Sequence, residues 1–310
     1  MSKRRKKGRP VNGWIILDKD YDVGSTEAVS KLKWLFQAQK AGHAGTLDPL
    51  ATGVLPIAFG EATKTVPYVM DGAKRYRFTA KWGEATTTDD REGAVIARSI
   101  HRPTREEITK ALGRFTGTID QIPPQFSAVK VGGARAYDLA RDGETVALEA
   151  RPIDIHELTL VDSPDADHAV FDAVTGKGAY VRALVRDLAK ALGTEGHVAA
   201  LRRTAVGPFR AEDGVTIAAL EAMEAPAARD AFLLPVDAAL AALPQAAVGG
   251  PEAERLKRGQ PAVISAATAK GVRGAETGLI PAVLASLHGD AVALCELDGL
   301  KLKPLRVFNL

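Results

Sequence analysis

The chain predicts an α+β fold, with a mixed, mainly antiparallel sheet flanked by helices and a small β-rich unit at the C-terminal end. Three observations predict it. Strand and helix patterns mix without a regular β-α-β repeat, which disfavours a doubly wound parallel sheet. The segment from Lys74 to Trp82 alternates cleanly, with Tyr76, Phe78, Ala80 and Trp82 on one face and Arg75, Arg77, Thr79 and Lys81 on the other, as a half-buried strand with a basic outer face does. Finally, 310 residues of which 46% are hydrophobic and 25% charged suffice for one large domain or a large and a small one, and do not describe a disordered chain.

In order along the chain, Trp14 to Leu17 reads as a buried strand. Ser25 then caps a helix whose apolar positions Val29, Leu32, Leu35 and Phe36 fall at helical spacing. Gly42 to Gly53 is a turn-rich loop, and Val54 to Phe59 a second buried strand. After Pro103, Thr104-Arg-Glu-Glu107 is a capping box, continued by Ile108, Ala111, Leu112 and Phe115 as an amphipathic helix. Ile153 to Val161 and His168 to Val174 read as strands, and Tyr180 to Leu192 as a helix stopped by Gly193. The Ala-rich stretch Val215 to Leu243 reads as helical and Pro244 to Pro251 as a linker. Beyond it, the short apolar runs Pro261 to Ile264, Ala291 to Leu297 and Leu305 to Leu310 are broken by glycines, as in a small β domain. The expected division is a basic disordered tail over 1–10, a main domain over 11–243 and a second domain over 244–310.

The net charge of +3 hides an asymmetry. Lys3, Arg4, Arg5, Lys6, Lys7 and Arg9 crowd the first ten residues without an acid, and the remainder carries three more acids than cations. Such a tail is either a solvated end or a nucleic-acid contact. The single cysteine, Cys295, excludes an intrachain disulfide and any Cys-based zinc or iron–sulfur site, and fits a reducing compartment. The apolar run Trp14 to Leu17 is too short for a signal-peptide core, and no segment reaches the roughly 18 to 20 apolar residues of a membrane span. A cytoplasmic protein without membrane attachment is expected. The histidines at 43, 101, 156, 168, 197 and 288 form no ligand pair at helical spacing, so no metal site is expected. Gly60-Glu-Ala-Thr-Lys64-Thr65 ends like a phosphate loop, but its glycine spacing is wrong for cradling phosphates, so no nucleotide cofactor is expected.

The segment Gly42-His-Ala-Gly-Thr-Leu-Asp48-Pro-Leu-Ala-Thr-Gly53 stands apart. Gly42, Gly45, Pro49 and Gly53 free or restrict the backbone, so the loop has a fixed shape, with small residues that admit a close approach. Asp48 is its one carboxylate. Beside a proline it is a turn residue or cap on composition alone, or else a nucleophile or general base held on a rigid loop.

At these residues the sequence resembles the bacterial TruB-type tRNA pseudouridine synthase family. The resemblance continues through Leu55 to Lys64, Lys74-Arg-Tyr76-Arg, Gln121 to Lys130, Ala150-Arg-Pro-Ile153, Lys177-Gly-Ala-Tyr180-Val-Arg182 and His197 to Arg203. It implies a pseudouridine synthase-like catalytic domain and, at the C-terminal end, a PUA-like RNA-binding domain. It also implies a cofactor-free isomerase whose partner is the T stem-loop of tRNA and whose target is uridine 55. By the same resemblance Asp48 is the nucleophile or base, attacking ribose C1′ or base C6, and Arg182 is the arginine that pairs with it. Tyr76 is then the stacking platform for the flipped base, Tyr180 and Leu201 line the uracil pocket, and His43 helps hold the displaced T-loop structure. Without the resemblance Tyr76 and Leu201 read as core, His43 as a hydrogen-bonded loop histidine and Arg182 as a solvated helix position. The family reads L-x-K-P-x-G near its N-terminus, whereas here Leu17-Asp-Lys19-Asp20-Tyr-Asp22 lacks the Pro and the Gly. A rival of another class is a non-catalytic RNA-binding or RNA-folding factor on the same scaffold, against which the intact Asp48, Tyr76 and Arg182 argue. The sequence leaves the oligomeric state open.

Overall fold

The computed structural model describes residues 8–127, 129–131, 134–136, 147–274 and 278–310. Its first thirteen strands are β1 (Gly13–Lys19), β2 (Ala41–His43), β3 (Thr52–Phe59), β4 (Lys74–Trp82), the hairpin β5 and β6 (Glu84–Thr86 and Val95–Arg98), β7 (Gly117–Gln121), the short hairpin β8 and β9 (Lys130–Val131 and Ala134–Arg135), β10 (Arg151–Asp162), β11 (His168–Thr175), β12 (Gly196–Val206) and β13 (Phe209–Arg210). Nine of these form one sheet in the order β1-β3-β12-β4-β11-β10-β7, with β2 on β3 and β13 on β12. Its pairings are antiparallel except the seam between β3 and β12, where Arg202 lies opposite Thr52 and Arg203 opposite Gly53. The mixed, mainly antiparallel sheet is the one expected.

Alternation decides which face of this sheet is covered. On β4, Phe78, Ala80 and Trp82 are buried while Arg75 and Arg77 are exposed, and the outer cations are largely neutralised: Arg77 grips Asp172 on β11 at 2.8 and 2.7 Å, and Lys81 holds Glu84 at 2.7 Å. Phe78 stacks on Phe171 at 5.2 Å and Trp82 meets the same ring edge-on. Against this face pack α1 (Ser25–Leu35) through Ala28, Leu32 and Leu35, and, after α2 (Val66–Asp71) and α3 (Arg105–Ala111), α4 (Val181–Ala191) through Val181, Leu184, Val185 and Leu188. The capping box at Thr104 forms as expected, Thr104 Oγ1 accepting from the Glu107 amide and Glu107 returning to the Thr104 amide at 2.7 Å.

Four expectations are corrected. Ser25 is the first residue of α1 rather than its cap, which is Gly24. The Ala-rich stretch gives only α5 (Ile217–Glu221), α6 (Pro226–Asp230) and a 3₁₀ turn (Val236–Leu240), because Pro226 and Pro235 cannot continue a helix and restart it only at a first turn. The segment after Pro244 is not a free linker: Gln245–Ala247 is a strand, β14, and α7 (Gly250–Lys257) follows it. Lastly, Arg9 does not belong to a loose tail, since its amide donates to Gln37 O and its guanidinium pairs with Asp230. The tail cations Lys3 to Lys7 lie outside the described residues.

The C-terminal sheet runs β14-β16-β17-β18-β15, with β15 (Ala262–Val263), β16 (Ile280–Leu287), β17 (Asp290–Asp298) and β18 (Lys301–Val307). It encloses an apolar core that includes Val283, Ala293, Cys295 and Leu302. A second apolar cluster, with Trp14, Phe209, Leu240, Leu284, Leu294 and Phe308, joins it to the back of the first sheet. Lys64 Nζ donates to Val307 O at 2.7 Å and the Asn309 amide to Glu61 Oε2 at 2.7 Å across the same contact. Lys64, the residue that mimicked a phosphate-loop lysine, is thus a tie between the two sheets. Among the described residues no helix is long and apolar enough to cross a membrane.

Candidate active site

Asp48 lies on the connection between β2 and β3, irregular backbone whose polar groups must find partners outside any ladder. Three side chains from distant parts of the chain supply them. Ser25 Oγ accepts from the Leu47 amide at 2.9 Å and donates to the Leu47 carbonyl at 2.7 Å, using both capacities of one hydroxyl. Lys19, fully buried at the end of β1, donates from Nζ to Asp20 O at 2.9 Å and Pro49 O at 3.0 Å. Arg203 on β12, also buried, donates from Nε to Val54 O at 2.8 Å, from Nη1 to Thr46 O at 3.0 Å and from Nη2 to Gly45 O at 3.1 Å. The connection therefore leaves the sheet already clamped at residues 45, 46, 47, 49 and 54. Gly53 permits this closeness: it sits at φ +98°, and a Cβ there would meet Arg203 O at 2.2 Å.

Arg182 holds the carboxylate itself. Its Nη2 is 2.8 Å from Asp48 Oδ2 and its Nη1 is 3.5 Å from the buried Asp90, while Thr88 O and Phe126 O accept from the same guanidinium at 3.0 Å each. Arg182 is 5% exposed, which removes its reading as a solvated helix position. Its place in the first turn of α4 is set by Gln121, the last residue of β7, whose side chain bridges the amide and carbonyl of Tyr180 at 2.8 and 3.2 Å. Tyr180 thereby comes to the site: burial, and then the charge of Asp48, push its hydroxyl pKa up. Lys19 is the counterpart, its pKa lowered by burial to about 8 against a pull from Asp48 in the other direction.

Tyr76 and Leu201 lie on one face of the central strands. Leu201 pairs with Phe78, two residues from Tyr76, and Arg203 pairs with Tyr76 itself, so all three side chains share the sheet face from which Arg203 reaches the Asp48 connection. Leu201 packs in one core with Leu47, Leu50 and Val181, against which the partly buried Tyr76 rests. His43 ends β2 opposite Ile57 and leads into the connection. The structure thus joins Asp48 to Arg182 directly and brings Tyr180 within reach of its charge, with Leu201 and Tyr76 in the adjoining core, while the Asp48 side chain keeps 32% of its exposure.

The altered N-terminal turn places aspartate in a conformation that suits glycine. Asp22 has φ 61°, the left-handed conformation that a glycine occupies without strain and that aspartate tolerates better than most residues. Its amide donates to Pro49 O at 2.9 Å, beside the Lys19 ammonium.

Family models match in two adjoining blocks: the N-terminal domain of the TruB family pseudouridylate synthases over residues 33–181, and the tRNA pseudouridylate synthase B C-terminal domain over 182–241. The chain belongs to the TruB family of pseudouridylate synthases. Among its relatives, the tRNA pseudouridine synthase B of Agrobacterium fabrum is 52% identical over 313 residues, covering 99% of this chain and 97% of that protein. The enzyme of the same name from Caulobacter vibrioides is 53% identical over 308 residues, covering 99% of both. In fold the chain is similar to a solved H/ACA RNP bound to a substrate RNA containing 2′-deoxyuridine, with a TM-score of 0.72, 20% identity, and coverage of 100% of this chain and 92% of that one. A Cbf5-Nop10-Gar1 complex gives 0.71, 23%, 95% and 84%.

Within this TruB-family chain, sequence reasoning missed four supports of the site. Asp90, Gln121 and Ser25 carried no signal of a distant partner. Arg203 did carry one, since it stands two residues after Leu201 in a strand and so on the same buried face. Lys19, whose role the altered turn obscured, is a clamp.

Proposed function

We propose that this chain converts uridine to pseudouridine in tRNA, at position 55 in the T loop, with Asp48 as the nucleophile or base. The observation that carries this reading is the 2.8 Å pairing of the Asp48 carboxylate with a buried Arg182, on a loop clamped by Lys19, Ser25 and Arg203. The reaction detaches uracil from C1′, turns the ring and rejoins it through C5, expelling the C5 hydrogen. A single preorganised carboxylate serves it, by attack on C1′ or C6 or by stabilising the species between. The target base lies inside the T loop, so it must be flipped out, which costs a few kcal/mol. Stacking on the Tyr76 ring and enclosure by Tyr180 and Leu201 offset that cost. Residues 11–243 then form the catalytic domain and 244–310 an RNA-binding unit.

Tritium release from [5-³H]uridine-labelled tRNA transcript tests the reading. Asp48→Asn is expected to leave less than a few per cent of wild-type release while tRNA affinity stays within about tenfold, because phosphate contacts dominate binding. Wild-type protein that binds the transcript without releasing tritium would instead identify a non-catalytic RNA-binding factor.

A further inference from the structure

The turn in which this chain departs from its family's motif carries an exposed aromatic ring. Tyr21, 44% exposed, lies under the guanidinium of Arg91, whose Cζ is 4.5 Å from the ring centroid. Both partners are tied to the reactive carboxylate by their chain neighbours. On one side, Asp20 and Asp22 join Pro49 through Lys19 Nζ and the Asp22 amide. On the other, Asp90 shares Arg182 with Asp48, and the Arg91 amide donates to Val198 O at 3.1 Å. The pair is therefore linked to Asp48 from two sides, through the Lys19–Pro49 contacts and through the shared Arg182. Its surroundings are acidic: Glu92 feels Asp90, Asp22 and Asp48 as like charges, so Arg91 is set among carboxylates that would repel an RNA strand.

We propose that Tyr21 and Arg91 form a stacking platform for the nucleotide next to the target uridine, the base lying on the Tyr–Arg stack and the guanidinium meeting that nucleotide's phosphate. This rests on the reading of Asp48 as the reactive carboxylate of an RNA-uridine isomerase. Unstacked bases in single-stranded RNA are held on aromatic rings and guanidinium planes, and a ring already ordered by a cation–π contact loses little freedom on binding. The Asp20-Tyr-Asp22 turn thereby gains a contact that the Pro-x-Gly form does not specify.

The test measures Kd for tRNA transcript from about 50 to 200 mM salt, together with single-turnover rates, for wild type, Tyr21→Leu, Tyr21→Phe, Arg91→Gln and Arg91→Lys. Tyr21→Leu is expected to raise Kd roughly fivefold or more at an unchanged salt slope, and Tyr21→Phe to restore it, because stacking needs the ring face and not the hydroxyl. Arg91→Gln is expected to lower the slope of log K against log salt by about 0.7 to 0.9, one phosphate contact, and Arg91→Lys to keep the slope while losing the planar stack. Unchanged Kd and slope in Tyr21→Leu and Arg91→Gln, with Asp48→Asn inactive, would make the pair a latch between two loops and overturn the inference alone. An active Asp48→Asn would instead remove the reading beneath it. Arg91 is exposed, so its variants report on binding even if the Tyr21 substitution disturbs the turn.

Discussion

The Asp48 connection is irregular backbone fixed by Lys19, Ser25 and Arg203 through hydrogen bonds to carbonyls and an amide, whereas in the C-terminal sheet the enclosed positions are Val283, Ala293, Cys295 and Leu302 and Lys303 pairs outside with Glu296 and Asp298. Apolar burial stabilises in proportion to area and tolerates small shifts. Hydrogen bonds from a buried guanidinium fix direction, and they are costly to break because each orphaned carbonyl loses its partner away from water. The contrast teaches that the loop presenting Asp48 exchanges tolerance for placement, while the second sheet keeps only the requirement of a filled core.

The largest expected effect comes from removing the most connected clamp. Arg203→Met leaves the carbonyls of Gly45, Thr46 and Val54 unpartnered and is expected to cost about 3 to 5 kcal/mol of stability. Tritium release should fall at least tenfold even below the melting transition, and thermal unfolding with activity measured at low temperature checks both. Full activity in a folded Arg203→Met protein would break the comparison at its polar end.

Tyr76→Leu is expected to cost roughly 5- to 150-fold in activity, the span of one base stack of about 1 to 3 kcal/mol. Tyr76→Phe should bind RNA nearly normally. Equal rates for the Leu variant and wild type would return Tyr76 to the core.

At the apolar end, Leu302→Ala removes a fully buried side chain and is expected to cost about 2 to 5 kcal/mol. Single-turnover rates measured where the protein remains folded should stay within about twofold of wild type, because no hydrogen bond of the Asp48 connection passes through that core. A rate loss matching that of Arg203→Met would show that the two regions do not differ in kind.

The smallest effect is a pH limb. Burial lowers Lys19 from its usual 10.5 to about 8. Between these values the unfolded chain holds a proton that the folded chain has lost, so this group favours the folded state increasingly as pH rises through the window. The site, meanwhile, loses a positive charge beside Asp48. Turnover is therefore expected to decline above about pH 8 without a parallel loss of thermal stability from this group, and Lys19→Arg, which stays charged, should shift the limb upward. A profile flat to pH 9.5 on stable RNA would exclude a contribution from the Lys19 charge.

Strand β4 was legible to the residue, because alternation of Tyr76, Phe78, Ala80 and Trp82 with cations is a local signal. The shape of the 42–53 segment was partly legible: its glycines and proline announced a fixed loop, although Gly42 and His43 pair as a strand with β3. What held that loop was not legible, since Ser25 and Arg203 act across 22 and about 150 positions. The 215–243 stretch misled because alanine favours helix wherever packing allows, whereas Pro226 and Pro235 decide where each piece starts. Strand β16 went unread because Ile280 to Leu287 presents a mixed apolar run without clean alternation.

The parallel seam between β3 and β12 bears on the order in which the molecule comes into being. Val54 and Arg203 Nε are 149 positions apart, and at roughly 5 to 20 residues per second a ribosome needs about 7 to 30 s to span them. Throughout that interval Asp48 exists in a chain whose loop has no guanidinium to close on, and the entropy of so long a closure is lost only when β12 arrives. The growing chain thus carries Asp48 early and gains the clamped loop late, when the strand that bears Leu201 and Arg203 docks into the middle of the sheet.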